Sequence, residues 1–181
     1  MEFKNTIQSL QKLGGNVVKE GRGILKNFKP HSKIASGTLY NQFDYIVTSS
    51  KDSVTLEFEF GNAEDYWQFV DEGVRGADPS KHEGRPRAAK SPFKYSTKMP
   101  PRGIIDRWIV KRGLKAARDN GKFISRKGLA FAIQKTIFQK GLQRTQFFTR
   151  PFTTQLKKQE NKILQAFADD LEVELKKTFK D

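Results

Sequence analysis

The chain has 181 residues and is 36% hydrophobic, which is enough apolar surface for one domain of ordinary size and excludes a disordered tail. It has no cysteine, so a disulfide framework, a thiol nucleophile and a thiolate metal site are excluded. The net charge of +14 is concentrated in residues 71–160, which hold 22 Lys and Arg against 7 Asp and Glu.

The N-terminus lacks the apolar run of a signal peptide, and no run of eighteen apolar residues is present to span a bilayer. We therefore expect a soluble, non-secreted protein without membrane contact. The two histidines, His31 and His82, lie far apart in polar segments, so no metal or cofactor is expected.

Apolar residues recur at helical spacing from Phe3 to Phe28 and predict an amphipathic helix over residues 1–30. Gly14 and Gly15 favour either a kink or break in that helix or its close packing against another element.

Alternating apolar and polar residues predict two strands, one from Leu39 to Val47 and one over residues 54–60. The polar residues 49–53 between them indicate a turn. We therefore predict that the two strands form an antiparallel hairpin, with one face buried beneath the first helix. An aromatic segment at residues 66–70 completes the part that spans residues 38–70.

Residues 71–102 are interpreted as an extended basic loop, since five of the seven prolines lie between Pro79 and Pro101. We expect residues 75–102 to be poorly ordered in the free protein and to become ordered against neighbouring subunits.

Residues 103–181 are predicted to form three helices. The first runs over 101–118 and ends at Asp119-Asn120-Gly121, and the second begins at the N-cap Ser125 and ends at Gly141. The last continues to the C-terminus. The expected buried stripes are Ile104, Ile105, Trp108 and Ile109 in the first, Leu129, Ile133, Ile137 and Phe138 in the second, and Leu156, Ile163, Phe167, Leu171 and Leu175 in the last. Asp169 and Asp170 are expected on the polar side of the last helix.

The predicted fold class is α+β: a small antiparallel sheet packed with an N-terminal helix and three C-terminal helices, with a long basic Pro-rich loop. Residues 1–181 are expected to form a single domain.

No catalytic signature is present in the sequence, and we expect no enzyme. Asp71 and Glu72 are interpreted as solvated carboxylates that pair with Arg75, with a metal site or, together with Glu83, a small nuclease as alternatives. The helix pair at 101–118 and 125–140 allows a helix-turn-helix reader as a further alternative. Its second helix would present Lys127, Gln134, Lys135 and Gln139.

The basic loop can bind phosphates, remain solvated, or dock to an acidic protein surface through aromatic anchors. The candidate partner interface comprises Arg75, Lys81, Arg85, Arg87, Lys90, Phe93, Lys94, Tyr95, Lys98 and Arg102.

Five aromatic residues are candidate structural anchors, with a subunit interface as the alternative for the last three. They are Trp67, Trp108, Phe147, Phe148 and Phe152.

Four segments in this order resemble the tail-completion or head-tail joining proteins of tailed bacteriophages, and the likeness covers residues 36–175. They are Tyr66 to Gly76 (YWQFVDEGVRG), Ser91-Pro92-Phe93, Met99-Pro100-Pro101 followed by Arg107-Trp108-Ile109, and Phe131 to Phe152 (FAIQKTIFQKGLQRTQFFTRPF). The family positions are occupied here by Tyr66, Val70, Asp71, Gly73, Phe148, Pro151 and Phe152.

The resemblance implies a non-enzymatic structural virion protein that forms a homo-oligomeric ring at the neck or at the tail-completion position. Its partners would be portal, adaptor or tail proteins, with non-specific contact to packaged DNA. Its location would be the virion, and the host cytoplasm during assembly. The basic loop and the long N-terminal helix depart from the family pattern. A basic nucleic-acid-binding or processing protein is the alternative.

Overall fold

The computed structural model describes residues 2–29, 33–34, 36–78, 90–114, 118–119 and 122–179. The elements in chain order are α1 (Lys4–Asn27), α2 (Thr38–Gln42), β1 (Asp44–Ser49), β2 (Val54–Glu59), a 3-10 turn (Gly61–Ala63), α3 (Trp67–Glu72), β3 (Val74–Arg75), α4 (Arg102–Lys111), β4 (Arg118–Asp119), β5 (Lys122–Phe123), α5 (Arg126–Lys140), β6 (Gly141–Leu142) and α6 (Thr149–Thr178). The fold is α+β, as predicted: α1 packs on the long C-terminal helix α6, and the strands form two-stranded antiparallel sheets.

Helix α1 runs without interruption, so the predicted break is wrong and the alternative, close packing, is confirmed. A Cβ atom at Gly14 would overlap the ring of Tyr45. A Cβ atom at Gly21 would lie 2.6 Å from both the carbonyl oxygen of Phe147 and the ring of Phe43. Glycine at these positions lets the hairpin and the start of α6 approach the helix backbone.

The predicted hairpin is present, with β1 and β2 paired from Asp44 opposite Glu59 to Ser49 opposite Val54. The inward-facing side chains pack beneath α1, as expected. The prediction that the first strand begins at Leu39 is wrong, because Thr38–Gln42 is helical. Leu39 and Phe43 are four residues apart, so a single helical turn buries both in the core.

Phenylalanine rings fill the centre of the main core. The centroid of Phe43 lies 5.4 Å from that of Phe147, edge to face. Phe58 makes two further edge contacts, at 5.1 Å with Phe148 and 5.8 Å with Phe152. Such pairs stabilise by about 0.5–1.5 kcal/mol beyond the burial of their area. Phe147, Phe148 and Phe152 therefore serve the core, as predicted.

Helix α6 runs antiparallel to α1, but its buried face differs from the predicted stripe. Phe147, just before α6, lies beside Gly21 of α1, and Phe167 of α6 stacks on Phe3 with 6.0 Å between ring centroids. The residues that α6 buries are Pro151, Gln155, Gln159, Ala166 and Asp170. Most of the predicted stripe is exposed, namely Leu156, Phe167, Leu171 and Leu175.

Asp170 is buried, so its expected place on the solvated side of the helix is wrong. Its carboxylate accepts hydrogen bonds from the backbone N–H groups of Asn5 and Thr6 at 3.1 and 2.8 Å, and from both of their side chains. First-turn N–H groups have no partner within their own helix, so Asp170 caps α1 from a distance. Burial alone would raise the pKa of Asp170, but the bonds from Thr6 and Asn5 outweigh that effect and lower it.

Helices α4 and α5 pack on each other around a second, smaller cluster that includes Ile105 and Ile109. Ile104 and Trp108 were predicted in the same stripe, but they are 56% and 37% exposed. A helix that packs against a single partner buries only a narrow face. In α4 that face consists of Ile105 and Ile109, which are four residues apart. The helix also ends at Lys111, earlier than predicted.

Both predicted boundaries of α5 are confirmed. The Ser125 hydroxyl accepts a hydrogen bond from the Gly128 N–H at 3.2 Å, and the helix ends at Gly141, whose φ of 77° favours glycine. Residues 112–125 separate α4 from α5, and β4 and β5 pair within them. The short turn required by a helix-turn-helix is therefore absent between these two helices, and that alternative is wrong.

Candidate functional site

Asp71 was a candidate for metal or acid chemistry. The structure instead places its side chain in the interior, where it accepts hydrogen bonds at the start of α6. It is 1% exposed. Its carboxylate accepts hydrogen bonds from the Phe148 N–H at 2.8 Å, from the Thr149 N–H at 3.4 Å and from the Thr149 hydroxyl. Its carbonyl oxygen accepts from the Thr145 N–H at 3.0 Å and the Gln146 N–H at 2.9 Å. Asp71 therefore fixes the start of α6, and a negative charge at a helix N-terminus is favourable.

The expected pairing of Asp71 and Glu72 with Arg75 is wrong. Glu72 forms an ion pair with Arg144 at 2.9 Å. Arg75 is half-buried, and its Nε atom is buried without a hydrogen-bond partner among the described residues. The reason is topological: Glu72 ends α3 beside the chain that leads into α6, whereas Arg75 belongs to β3, which pairs with β6.

Residues 91–95, in the second half of the basic loop, are hydrogen-bonded to the body of the fold. The Ser91 hydroxyl donates to the Gly73 carbonyl at 2.6 Å. The Arg75 N–H donates to the Phe93 carbonyl at 2.8 Å, and the Tyr95 N–H donates to the Arg75 carbonyl at 2.9 Å. The expected disorder of residues 75–102 is therefore wrong for these parts of the segment. Residues 79–89 lie outside the described residues.

The two aromatic members of the candidate interface, Phe93 and Tyr95, are half-buried and contact rings of their own chain. Phe93 packs edge-on against Phe69 with ring centroids 4.6 Å apart, and Tyr95 lies 6.2 Å from Phe138. Burial raises the pKa of Tyr95. Lys81, Arg85 and Arg87 lie outside the described residues. The exposed candidates are Lys90, Lys94, Lys98 and Arg102.

Positive charge continues from these residues onto α4 and α5. Residues 90–114 carry seven Lys and Arg and residues 124–150 carry six, against the single acidic residue Asp106. Asp106 is paired with Arg126 at 2.9 Å. Arg102 lies over the ring of Phe131, with its guanidinium carbon 5.3 Å from the ring centroid. The exposed positive charges of residues 90–114 and 124–150 can therefore attract a polyanion or an acidic protein surface.

Among the predicted anchors, Trp108 is the one that lies on the surface. Trp67 stacks on Phe60 with centroids 4.2 Å apart and belongs to the core, as expected. Trp108 instead lines an open cleft of about 520 Å³ between α4 and the α2–α3 region, which we call the α4 cleft. Tyr40 and Tyr66 are on its opposite side.

The α4 cleft combines apolar walls with positive charge. Arg107 and Lys111 come from one face of α4 and Lys33 from the opposite side, and the described residues that line the cleft include no carboxylate. Burial raises the pKa of Tyr66, and a hydrogen bond with the Leu39 backbone offsets part of that rise. Such a surface suits a ligand that is both apolar and acidic.

Sequence reasoning did not identify this cleft. The spacing of Arg107 and Lys111, four residues apart, was a usable signal that they share a helix face. No sequence pattern indicated that Tyr40 lines the cleft, because the alternation from Leu39 to Val47 placed it in a strand.

In the described ranges no group of three His, Cys, Asp or Glu side chains comes close enough to hold a metal ion. No described helix is long and apolar enough to cross a membrane. Comparison with known proteins found no matching family model, no matching curated protein and no matching solved structure.

Proposed function

We propose that this chain is a structural virion protein of a tailed bacteriophage, a ring-forming subunit at the head-tail junction or at the tail-completion position. The observation that carries the proposal is the ordered set of segments that resembles this class of protein. The fold brings those segments into direct contact although they are distant in the sequence.

The contacts among these segments are specific. The carboxylate of Asp71, in the first segment, accepts a hydrogen bond from the backbone N–H of Phe148, in the last segment, 77 residues further along the chain. The Ser91 hydroxyl donates a hydrogen bond to the Gly73 carbonyl, and the Gln134 side chain donates one to the Pro100 carbonyl at 2.7 Å. The motif residues therefore contact one another in the folded chain, which gives a physical reason for their order and spacing.

The proposed role requires geometry and surface contacts rather than chemistry. The exposed cations of residues 90–114 and 124–150 would face packaged DNA or acidic protein surfaces of the particle. Exposed apolar side chains on α4 and α6 would be covered by neighbouring subunits.

The test is assembly of particles in extracts that lack this chain. We expect DNA-filled heads and free tails to accumulate unjoined, and purified wild-type chain to restore joining. Empty heads together with a defect in DNA synthesis or packaging would contradict the proposal.

The basic surface favours a second candidate, a nucleic-acid-binding or processing protein. Counterion release would make its DNA affinity fall steeply with salt concentration. Tight, salt-sensitive binding of duplex DNA by the isolated monomer, combined with absence from particles, would favour this candidate over the first.

A further inference from the structure

The hairpin has one face that no element of the described chain covers. Three pairs of directly opposite residues share this face: Asp44 with Glu59, Ile46 with Glu57, and Thr48 with Thr55. All six are exposed, whereas the residues between them on each strand are half-buried on the side of α1. We call these six residues the outer face. A sheet has two faces, and here α1 packs on only one of them.

The outer face is negatively charged, and most of that charge has no cation beside it in the described chain. It holds three carboxylates and no cation. Asp44 forms one long ion pair, with Arg22 at 3.8 Å, and the described ion pairs include none for Glu57 or Glu59. Because Asp44 lies directly opposite Glu59, their like charges destabilise the hairpin. Ile46 is 43% exposed among these charges. A cationic surface with an apolar centre would relieve the repulsion and cover Ile46.

Helix α5 presents a surface of the opposite charge. Lys127, Phe131 and Lys135 are four residues apart, so they lie along one side of the helix. All three are exposed, Phe131 by 46%. The Arg102 guanidinium over the Phe131 ring adds a third cation. We call these four residues the α5 stripe. The ion pairs of the described residues include none for its three cations.

The outer face and the α5 stripe match in charge, in apolar content and in length. Each has one large apolar side chain among its charges, Ile46 on the first and Phe131 on the second. Three carboxylates border Ile46, and three cations border Phe131. The strand from Asp44 to Thr48 is about 14 Å long at 3.4 Å per residue, and the stripe is about 12 Å long at 1.5 Å per residue. A helix can therefore lie along the outer face as α1 lies along the inner one.

The two surfaces are available for a contact between copies. Both are exposed in the single chain, so neither covers the other. Each copy therefore presents both halves of the contact.

We infer that the outer face of the hairpin of one copy docks on the α5 stripe of the next copy. Such a head-to-tail contact joins two different surfaces, so it repeats and closes into a ring when the rotation between copies allows it. The inference deepens the proposed function, and it rests on that function for the expectation of a closed ring.

The α4 cleft is a second cationic surface, but it is a weaker partner for the hairpin. Its cations Arg107 and Lys111 stand beside a concave space of about 520 Å³. A two-stranded face with the single large apolar side chain Ile46 can meet those cations without filling the apolar walls.

The test is charge reversal in the full chain, followed by sedimentation velocity over a concentration series. The hairpin variant carries Glu57→Lys and Glu59→Lys, and the stripe variant carries Lys127→Glu and Lys135→Glu. All four side chains are exposed, so both variants should keep the fold. Each variant alone should associate more weakly than wild type by on the order of 100-fold, because like charges then face each other.

Mixed in equal amounts, the two variants should recover association to within about 10-fold of wild type. In the mixture the hairpin of each variant meets a stripe of opposite charge on the other. The chain that carries all four substitutions should recover in the same way, because both of its surfaces have changed sign. Recovery in these two samples separates a lost contact from a lost fold.

Two control variants separate the contact from a general effect of charge. Asp65→Lys with Asp169→Lys makes the charge change of the hairpin variant at exposed positions outside the outer face. Arg107→Glu with Lys111→Glu makes the charge change of the stripe variant at the α4 cleft. Both controls should associate like wild type.

Thermal unfolding gives an independent readout of the hairpin itself. Glu59→Lys replaces the repulsion of Asp44 by an attraction, so this variant should melt at or above the wild-type Tm. A clearly lower Tm would show that the carboxylate serves the fold of its own chain, and it would contradict the docking role.

The inference is overturned if wild type remains monomeric throughout the series, if either variant alone associates like wild type, or if the mixture does not recover. Loss of association in Arg107→Glu with Lys111→Glu, with the stripe variant unchanged, would assign the contact to the α4 cleft and overturn it as well. The proposed function is tested separately, by the presence of the chain in purified particles. The chain can therefore be a virion subunit even if this contact is wrong.

Discussion

Replacing Asp71 by Ala should destabilise the protein strongly without removing any chemistry. The carboxylate is buried and accepts hydrogen bonds from Phe148 and Thr149 at the start of α6. In the Ala variant these donors lose their acceptor, and the N-terminus of a 30-residue helix loses its negative charge.

The cost follows from the contacts. Loss of a helix cap costs about 0.5–2 kcal/mol, and each buried donor left without a partner costs about 1–3 kcal/mol. We therefore expect a loss of about 3–5 kcal/mol in the free energy of unfolding. For a chain of this length each kcal/mol lowers the Tm by about 2–4 °C, so a decrease of about 6–20 °C is expected.

Thermal unfolding followed by circular dichroism checks this prediction. Asp65→Ala is the matched control, because Asp65 is exposed, and its Tm should stay within about 2 °C of wild type. Asp71→Asn retains one acceptor oxygen and should fall between the two. An Asp71→Ala protein that melts like Asp65→Ala would refute the capping role. Metal-dependent DNA cleavage by wild type that is lost in Asp71→Ala with Glu72→Ala would contradict the non-catalytic interpretation.

Four further substitutions test the packing around α1. Gly21→Ala should destabilise, because its Cβ atom meets the Phe147 carbonyl, whereas Gly23→Ala faces open space and should stabilise by about 0.5–1 kcal/mol in a urea titration. Phe147→Ala should lower the free energy of unfolding by about 3–5 kcal/mol in the same assay, and a loss below about 1 kcal/mol would contradict its place in the core. Asp170 has a lowered folded pKa, so its carboxylate stabilises the fold above its unfolded pKa of about 3.9, and that contribution is lost as the pH falls through the lower folded value. Stability measured against pH should therefore lose part of its acid dependence in Asp170→Asn, and an unchanged profile would contradict the cap on Thr6.

The fold class and the element boundaries that depend on local chemistry could be predicted from the sequence. The alternation over residues 54–60, the N-cap Ser125 and the helix end at Gly141 each specify a local structure through neighbouring residues. The error at Leu39 arose because Leu39, Phe43, Tyr45 and Val47 fit a strand pattern over most of their length. The helical turn at Thr38–Gln42 is favoured by tertiary burial, which the local pattern does not contain.

The roles of the buried carboxylates could not be predicted from sequence, since each depends on a partner far along the chain. Asp71 meets Phe148, and Asp170 meets Thr6, 164 residues away. In the sequence both resemble solvated acidic residues. The α4 cleft was missed for the same reason, because its two walls come from segments that only the fold brings together.

The presence and position of this chain in intact particles test the central claim most directly. Particles purified through two density gradients would be analysed by mass spectrometry and labelled with gold-conjugated antibody raised against the recombinant chain. We expect the chain to copurify with particles in several copies each, and the gold to lie at the head-tail junction or the end of the tail. Absence of the chain from particles that retain joined heads and tails would contradict the account.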